Sequence, residues 1–264
     1  MKPAEYEAML ALDERHWWYR GRRAVLDAIL AGLDLPPQPR ILDAGCGSGR
    51  TLDELARLGT AVGTELNPLG VDAARRRGHD VAQAAVEELP HPDASFDLVT
   101  CLDVIEHTDD DAAALGELAR VTRPGGVLIV TVPAHPRLWS HHDEVNDHRR
   151  RYTRRSLRTA AGEGGWSMER LTGFNVVYLL PAALVRVMRR RRSGDASGSD
   201  DASGSELRLT PPRLNPVLEL PLRAEAALIR RGRDLPPGLS LLVVLRKDDV
   251  RIPTAGDDSR SASP

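Results

Sequence analysis

Apolar residues recur at helical spacing over residues 22–33 (RRAVLDAILAGL), and the prolines of PPQP at 36–39 then interrupt the chain before a short apolar run, RILDA. From there short apolar runs alternate with helix-spaced segments. The pattern predicts strands near 40–44, 61–65, 80–84, 96–101 and 125–132, and helices near 49–58, 68–76, 109–120 and 153–163. Strands and helices alternating at such intervals are joined by right-handed crossovers, so the expected fold is α/β, doubly wound around a mostly parallel sheet.

After Trp166 the rhythm changes. WSMERLTGF (166–174) reads as a strand, and NVVYLLPAALVRVM (175–188) is apolar, interrupted by Pro181 and followed by four arginines. GDASGSDDASGS (194–205) cannot bury enough apolar surface to offset its ordering entropy, which predicts a disordered loop over 193–206. LNPVLELPLRAEAALIRRG (214–232) predicts a helix with a proline-marked break, and SLLVVLRK (240–247) a last strand. The expected organisation is an N-terminal helical cap (1–38), a core (39–173), a helical insertion (174–238), the last core strand (239–248) and a disordered tail (249–264).

Composition narrows the function classes. At 264 residues with 41% hydrophobic content the chain can bury one sizeable core, and a net charge of −2 gives no global reason to expect a nucleic-acid partner. Lys2 and Lys247 are the only lysines, so arginine runs are weak evidence of electrostatic purpose. Cys46 and Cys101 fit neither a zinc nor a redox spacing, and a reducing cytoplasmic location is expected. No apolar run reaches the roughly 18 residues of a membrane span, and the N-terminus lacks a signal-like apolar stretch.

The chemistry begins at ILDAGCGSGR (41–50). An apolar strand ends at Asp43, and Gly45, Gly47 and Gly49 then alternate before a helix. Glycines permit left-handed backbone and close approach of a ligand, and the helix start offers free N–H groups to a carboxylate or phosphate. The dinucleotide fingerprint has the spacing G-x-G-x-x-G, whereas this turn reads G-x-G-x-G and carries an acid that would repel a pyrophosphate. Asp43 would favour an ammonium instead. Glu65 ends the second strand in AVGTELNP, where a carboxylate can accept both hydroxyls of a ribose.

Together with EELPHPDASFDLVTCLDVIEH (87–107) and VTRPGGVLIVTVP (121–133), these motifs resemble, in order over about residues 38–135, the class I S-adenosylmethionine-dependent methyltransferases. The resemblance implies a seven-stranded doubly wound sheet and S-adenosyl-L-methionine as cofactor. Asp43, Gly45 and Gly47 would surround its methionine part, Glu65 its ribose and Leu66 its adenine. Many members carry an acid that accepts the adenine amino group; here Ala84-Ala85-Val86 stands there, which leaves that contact to the backbone near Val86 or to Gln83.

The DVIEH segment is similar to the fourth-strand segment of ubiquinone-biosynthesis O-methyltransferases, where an acid, a glutamate and a histidine are associated with a divalent cation. Asp103, Glu106 and His107 offer that set here. The expectation is nevertheless that no metal is held: Asp103 bounds the cofactor pocket, Glu106 caps a helix and His107 orients the substrate.

LWSHHDEVNDHRRRY (138–152) directly follows the fifth strand and so hangs over the carboxyl edge of the sheet, where open α/β folds bind ligands. It is expected to be an active-site loop, with His142 beside Asp143, or His148, as the base. Trp139, Arg150, Arg151 and Tyr152 are expected to contact the substrate, and so is Trp18 from HWWYRGRR (16–23). Together the two stretches resemble a bacterial methyltransferase subgroup of largely unassigned substrate. The apolar, basic-ended segment 174–192 suits either a helix over the substrate cleft or a peripheral contact with anionic lipid.

The resulting expectation is methyl transfer to a small-molecule or lipid-linked acceptor, more readily at oxygen than at nitrogen or carbon. A non-catalytic cofactor-binding regulatory or scaffold relative is the alternative. An NAD-dependent oxidoreductase is disfavoured by the turn spacing and Asp43.

Overall fold

The computed structural model describes residues 3–185 and 211–248. One seven-stranded sheet runs through the chain: β1 Arg40–Ala44, β2 Thr60–Glu65, β3 Val81–Gln83, β4 Phe96–Leu102, β5 Thr122–Pro133, β6 Trp166–Phe174 and β7 Ser240–Lys247. Its order is β3-β2-β1-β4-β5-β7-β6, parallel except that β7 runs antiparallel to both β5 and β6. The central strands read as continuous apolar runs because helices cover both of their faces.

The described helices are α1 Pro3–Asp13, α2 Trp17–Leu30, α3 Arg50–Leu55, α4 Pro68–Arg76, α5 Asp111–Val121, α6 His141–Val145, α7 Arg154–Glu163, α8 (179–185) and α9 Asn215–Arg230. On one face Leu26 and Ile29 of α2 pack with Leu222 and Ile229 of α9 against Ile41, Leu98 and Ile129. On the other, Leu115 and Leu118 of α5 and Leu157 of α7 pack against Leu42, Val99 and Leu128. Each such buried side chain contributes roughly 1.5–3 kcal/mol, so the two apolar layers fix where the strand ends lie.

Chain order sends β2 and β3 to one side of β1 and β4 and β5 to the other. The crevice at this switch, beyond the carboxyl ends of β1 and β4, is where ligands of such sheets bind. Three local features differ from the pattern expectation. The helix expected over 49–58 stops at Leu55, and Ala56–Leu58 close it with turns before Gly59, which abuts Pro39 too closely for any side chain. The strand expected near 80–84 is only Val81–Gln83. The loop after β5 contains the short helix α6. The predicted loop 193–206 and tail 249–264 lie outside the described residues. No described helix is long and apolar enough to cross a membrane.

Candidate functional site

β1 delivers Asp43 to the crevice and the glycine turn follows in left-handed backbone, with φ of 80° at Gly45, 54° at Gly47 and 77° at Gly49. At Gly45 a Cβ would meet Val104 at 2.4 Å, whereas at Gly47 nothing lies within 4 Å. Gly47 therefore opens directly into the cavity that it lines, and a side chain there would fill space meant for a ligand. Asp43 accepts the Thr100 hydroxyl at 2.7 Å, and burial pushes its pKa up to about 6 against the lowering effect of Thr100 and Arg22. Glu65 accepts the amides of Gly47 (2.9 Å) and Asn67 (2.8 Å), which pins its carboxylate at the rim with further lone pairs to offer.

A cavity of about 1360 Å³ covers this edge. Leu66, Ala84 and Val86 line it beyond Glu65, and Leu66 presents an open apolar side chain, 64% exposed. Gln83, the other expected adenine contact, instead donates to the Leu66 carbonyl at 3.2 Å. Thus the glycine turn, Glu65 and an apolar shelf together fit an adenosyl group joined to an amino acid.

The N-terminal cover closes the cavity from above. Asp13 accepts from Arg23 at 3.0 Å and from the Ser48 hydroxyl, fastening the end of α1 to α2 and to the glycine turn. Arg22 reaches Asp103 at 2.6 Å and lies over the rings of Trp18 (5.1 Å) and Tyr19 (5.6 Å). Asp103 itself sits at φ 58°, a turn that brings its carboxylate from β4 into the cavity. Pattern reasoning missed Arg22 and Asp13: within an arginine-rich stretch nothing distinguishes one buried guanidinium, and the pairing spans 81 residues.

In the histidine-rich loop, Asp143 is the centre. It is wholly buried at the start of α6, where Ser140 and Asp143 form a capping box, and one carboxylate oxygen meets His148 Nδ1 at 3.0 Å and Arg151 Nε at 2.6 Å. Burial opposes its charge, but the His148 and Arg151 hydrogen bonds outweigh that and hold the carboxyl well below the usual carboxylate range. An ionised Asp143 accepts, so Nδ1 of His148 is the donor in this pair.

This corrects several expectations. Asp143 pairs with His148 and not with its neighbour His142, because the helical turn points adjacent side chains apart. Arg151 lines the cavity edge, but its guanidinium is committed to Asp143 and to the Ala134 carbonyl at 3.0 Å. Tyr152 is 1% exposed and donates to Asp111 at 2.6 Å, so it belongs to the core. Arg150 pairs with Asp111 at 2.9 Å and donates to the carbonyls of Thr108 and Asp109. Neither Arg150, Tyr152 nor Trp139 lines the cavity; Trp18 does.

Three histidines do come together. The His107 ring lies 4.8 Å and the His142 ring 6.2 Å from that of His148, and all three line the cavity. Burial, and next the neighbouring His148, lower the His107 pKa to about 4, so it stays neutral at ordinary pH. Glu106 is 1% exposed, and neither of its carboxylate oxygens has a hydrogen-bond partner among the described residues. Burial, then Asp103, push its pKa well above the usual range. The ligand-type grouping is Glu106, His107 and His148, within 4.8 Å of one another, rather than the Asp103, Glu106 and His107 set of the resemblance, since Asp103 is engaged by Arg22.

Comparison with known proteins adds what the chain is similar to. Residues 42–130 match the model of a methyltransferase domain. The ubiquinone biosynthesis O-methyltransferase of Hahella chejuensis is 36% identical over 110 residues, covering 38% of this chain and 46% of that protein. Its counterpart in Xanthomonas oryzae pv. oryzae is 35% identical over 144 residues, covering 48% and 60%. The chain thus spans about half the length of the curated relatives it matches. A methyltransferase from Thermotoga maritima shares the fold at a TM-score of 0.56 and 20% identity, over 93% of this chain and 96% of that one. The sheet order and the likeness to solved structures give the chain the class I methyltransferase fold, and within it residues 42–130, which carry the glycine turn, are similar to a methyltransferase domain.

Proposed function

We propose that this protein transfers a methyl group from S-adenosylmethionine to a hydroxyl of a small-molecule acceptor, with His148 as the general base. The observation that carries the base is the buried Asp143 carboxylate 3.0 Å from His148 Nδ1. The match to the methyltransferase domain and the O-methyltransferase names among the relatives support the reaction and the oxygen nucleophile. When bound, the cofactor supplies a sulfonium methyl group that a nucleophile displaces, S-adenosylhomocysteine being the leaving group.

The chain's own residues do the rest. Asp43 accepts the cofactor's ammonium, the turn at Gly45 and Gly47 lets its methionine part approach the backbone, and Glu65 accepts the ribose hydroxyls. Leu66 packs on the adenine and the backbone at Val86 meets its edge. Asp103 and Arg22 bound the methionine end, where a carboxylate can engage the guanidinium. At the acceptor, His148 Nε2 takes the hydroxyl proton as the O–C bond forms, and Asp143 holds the ring in the tautomer this requires. His107, being neutral, and His142 orient the acceptor. Glu106, favoured as the neutral acid, donates a hydrogen bond to it. Trp18 and the cover exclude water, and alignment with exclusion is most of what an in-line displacement needs.

The deciding experiment replaces His148 by Ala and measures methyl transfer to catechol-type and other hydroxylated acceptors alongside S-adenosylhomocysteine affinity by calorimetry. The expected result is a loss of about a hundredfold or more in turnover with affinity retained within a few-fold. Full turnover in the variant overturns the assignment of the base, and failure of wild type to bind S-adenosylhomocysteine overturns the reaction itself.

A further inference from the structure

The outer face of α8 is built the wrong way round for a helix that belongs only to this chain's core. Leu180 and Pro181 and, one turn on, Leu184 and Val185 form one stripe of α8, with Val177 in the turn before it, and all five are exposed: Leu180 by 79% and Leu184 by 61%. The inward residues do the packing. Tyr178 stacks on Trp17 at 4.7 Å between ring centres and donates its hydroxyl to the Leu218 carbonyl of α9, so the turn that leads into α8 lies against the first half of α9. There a second exposed stripe, Leu214, Val217 and Leu220, follows i, i+3 and i+6, the latter two each 61% exposed. An apolar surface of this kind, made by two adjoining helices, marks an interaction site.

Charge identifies the partner. Residues 174–192 contain five arginines and no acid. In α9 the acid nearest the stripe, Glu219, is 3% exposed and already held by Arg20 at 3.0 Å and Arg223 at 2.7 Å, while Arg213 and Arg223 are open to solvent. Exposed leucines beside arginines, with the one nearby acid of α9 already paired, are the chemistry of a helix lying in the interface of an anionic bilayer. The surface is also continuous with the candidate site: Val185, exposed on the stripe, lines the cavity together with Pro181 and Ala182.

We infer that the exposed faces of α8 and the first half of α9 dock this protein onto an anionic lipid surface, with the cavity mouth opening at that surface. An acceptor with an apolar tail then enters beside Pro181 and Ala182 without leaving the lipid, a consequence that rests on the methyltransferase reading, whereas docking itself does not.

The test is cosedimentation of the full chain with vesicles of phosphatidylglycerol and phosphatidylcholine, and with phosphatidylcholine alone, without cofactor or acceptor. Wild type is expected in the pellet with the anionic vesicles, and Leu180→Asp combined with Leu184→Asp is expected to weaken that binding about tenfold or more. S-adenosylhomocysteine affinity and the thermal midpoint, within about 2 °C, should not change in the variant, since both side chains are exposed. Wild type that stays in the supernatant overturns the inference, as does a variant that binds like wild type. A fall of many degrees in the variant's midpoint overturns it by showing that the chain covers this face itself. A concentration-dependent dimer that the variant splits, in a protein indifferent to vesicles, assigns the face to a second copy and overturns it too.

Discussion

The Asp143 carboxylate and the Arg151 guanidinium, 2.6 Å apart and both almost wholly buried, form the brace on which the histidine-rich loop is built. The same carboxylate holds His148, so one residue joins the stability of the loop to its proposed chemistry. Replacing it separates the two. Asp143→Asn leaves a buried guanidinium without its counter-charge and should destabilise the protein by about 3 kcal/mol or more, read from urea unfolding. His148→Ala removes one of the two side-chain partners of the shared Asp143 oxygen and leaves the Arg151 pair in place, so it should destabilise by less than Asp143→Asn, about 1.5–3 kcal/mol, while turnover collapses. Equal destabilisation by both substitutions would show that His148 is part of the brace.

The Asp143 pair also predicts how stability follows pH. Its folded-state pKa lies below the unfolded value of about 3.9, so the unfolded chain binds the extra proton and the stabilisation is complete above that value. It is lost as the pH falls from about 4 toward the lower folded value. Urea midpoints at successive pH values should therefore drop more steeply below pH 4 in wild type than in Asp143→Asn, and parallel curves would remove Asp143 from the account of acid sensitivity.

Two residues expected at the substrate give a contrasting prediction. Tyr152→Phe deletes a buried hydroxyl that donates to Asp111 at 2.6 Å and should cost about 1–2 kcal/mol of stability. Arg150→Ala removes an ion pair outside the cavity and should cost less than about 1 kcal/mol. Neither should change the KM for the acceptor. A raised KM in either would return the residue to the substrate.

The alternation of apolar runs made the α/β sheet legible, down to the strand β1 and the turn after it, because a buried parallel strand admits few residue types and a left-handed turn favours glycine. The loop 138–152 was legible as a place, since it follows β5, but not as a geometry. Asp143 could be set beside His142 or five residues away against His148, and only the turn of α6 decides. Arg22 was hidden for a different reason: its partner Asp103 is brought to it by the packing of α2 over the sheet, and nothing local in HWWYRGRR records that contact.

Gly45 and Gly47 stand two residues apart with similar backbone, yet they should fail differently. A Cβ at Gly45 meets Val104 at 2.4 Å, so Gly45→Ala should lower the thermal midpoint through a steric clash as well as backbone strain. Gly47 has nothing within 4 Å and faces the cavity. Gly47→Val should therefore abolish S-adenosylhomocysteine binding, and by more than it destabilises the fold. Calorimetry on folded Gly47→Val decides this, and retained affinity would move the cofactor away from the turn.

Asp43 supplies the last prediction. Its pKa of about 6 arises because burial disfavours the charge more than Thr100 and Arg22 support it, and the nearby Glu65 and Asp13 carboxylates add to the rise. In the proposed complex this group must be ionised to accept an ammonium. Below about pH 6 the free protein carries a proton there that binding must expel, so S-adenosylhomocysteine affinity should fall by roughly tenfold per pH unit below that point and level off above it. Asp43→Asn removes the titrating group: affinity should be low at every pH, and this inflection should vanish. The folded state of wild type bears the opposite sign to Asp143, since a raised carboxylate pKa lowers stability as pH rises from about 4 through 6, and Asp43→Asn should relieve that loss in the absence of ligand. A variant that binds as wild type does, with the inflection intact, would place the ammonium on another acid and leave Asp43 as a buried partner of Thr100.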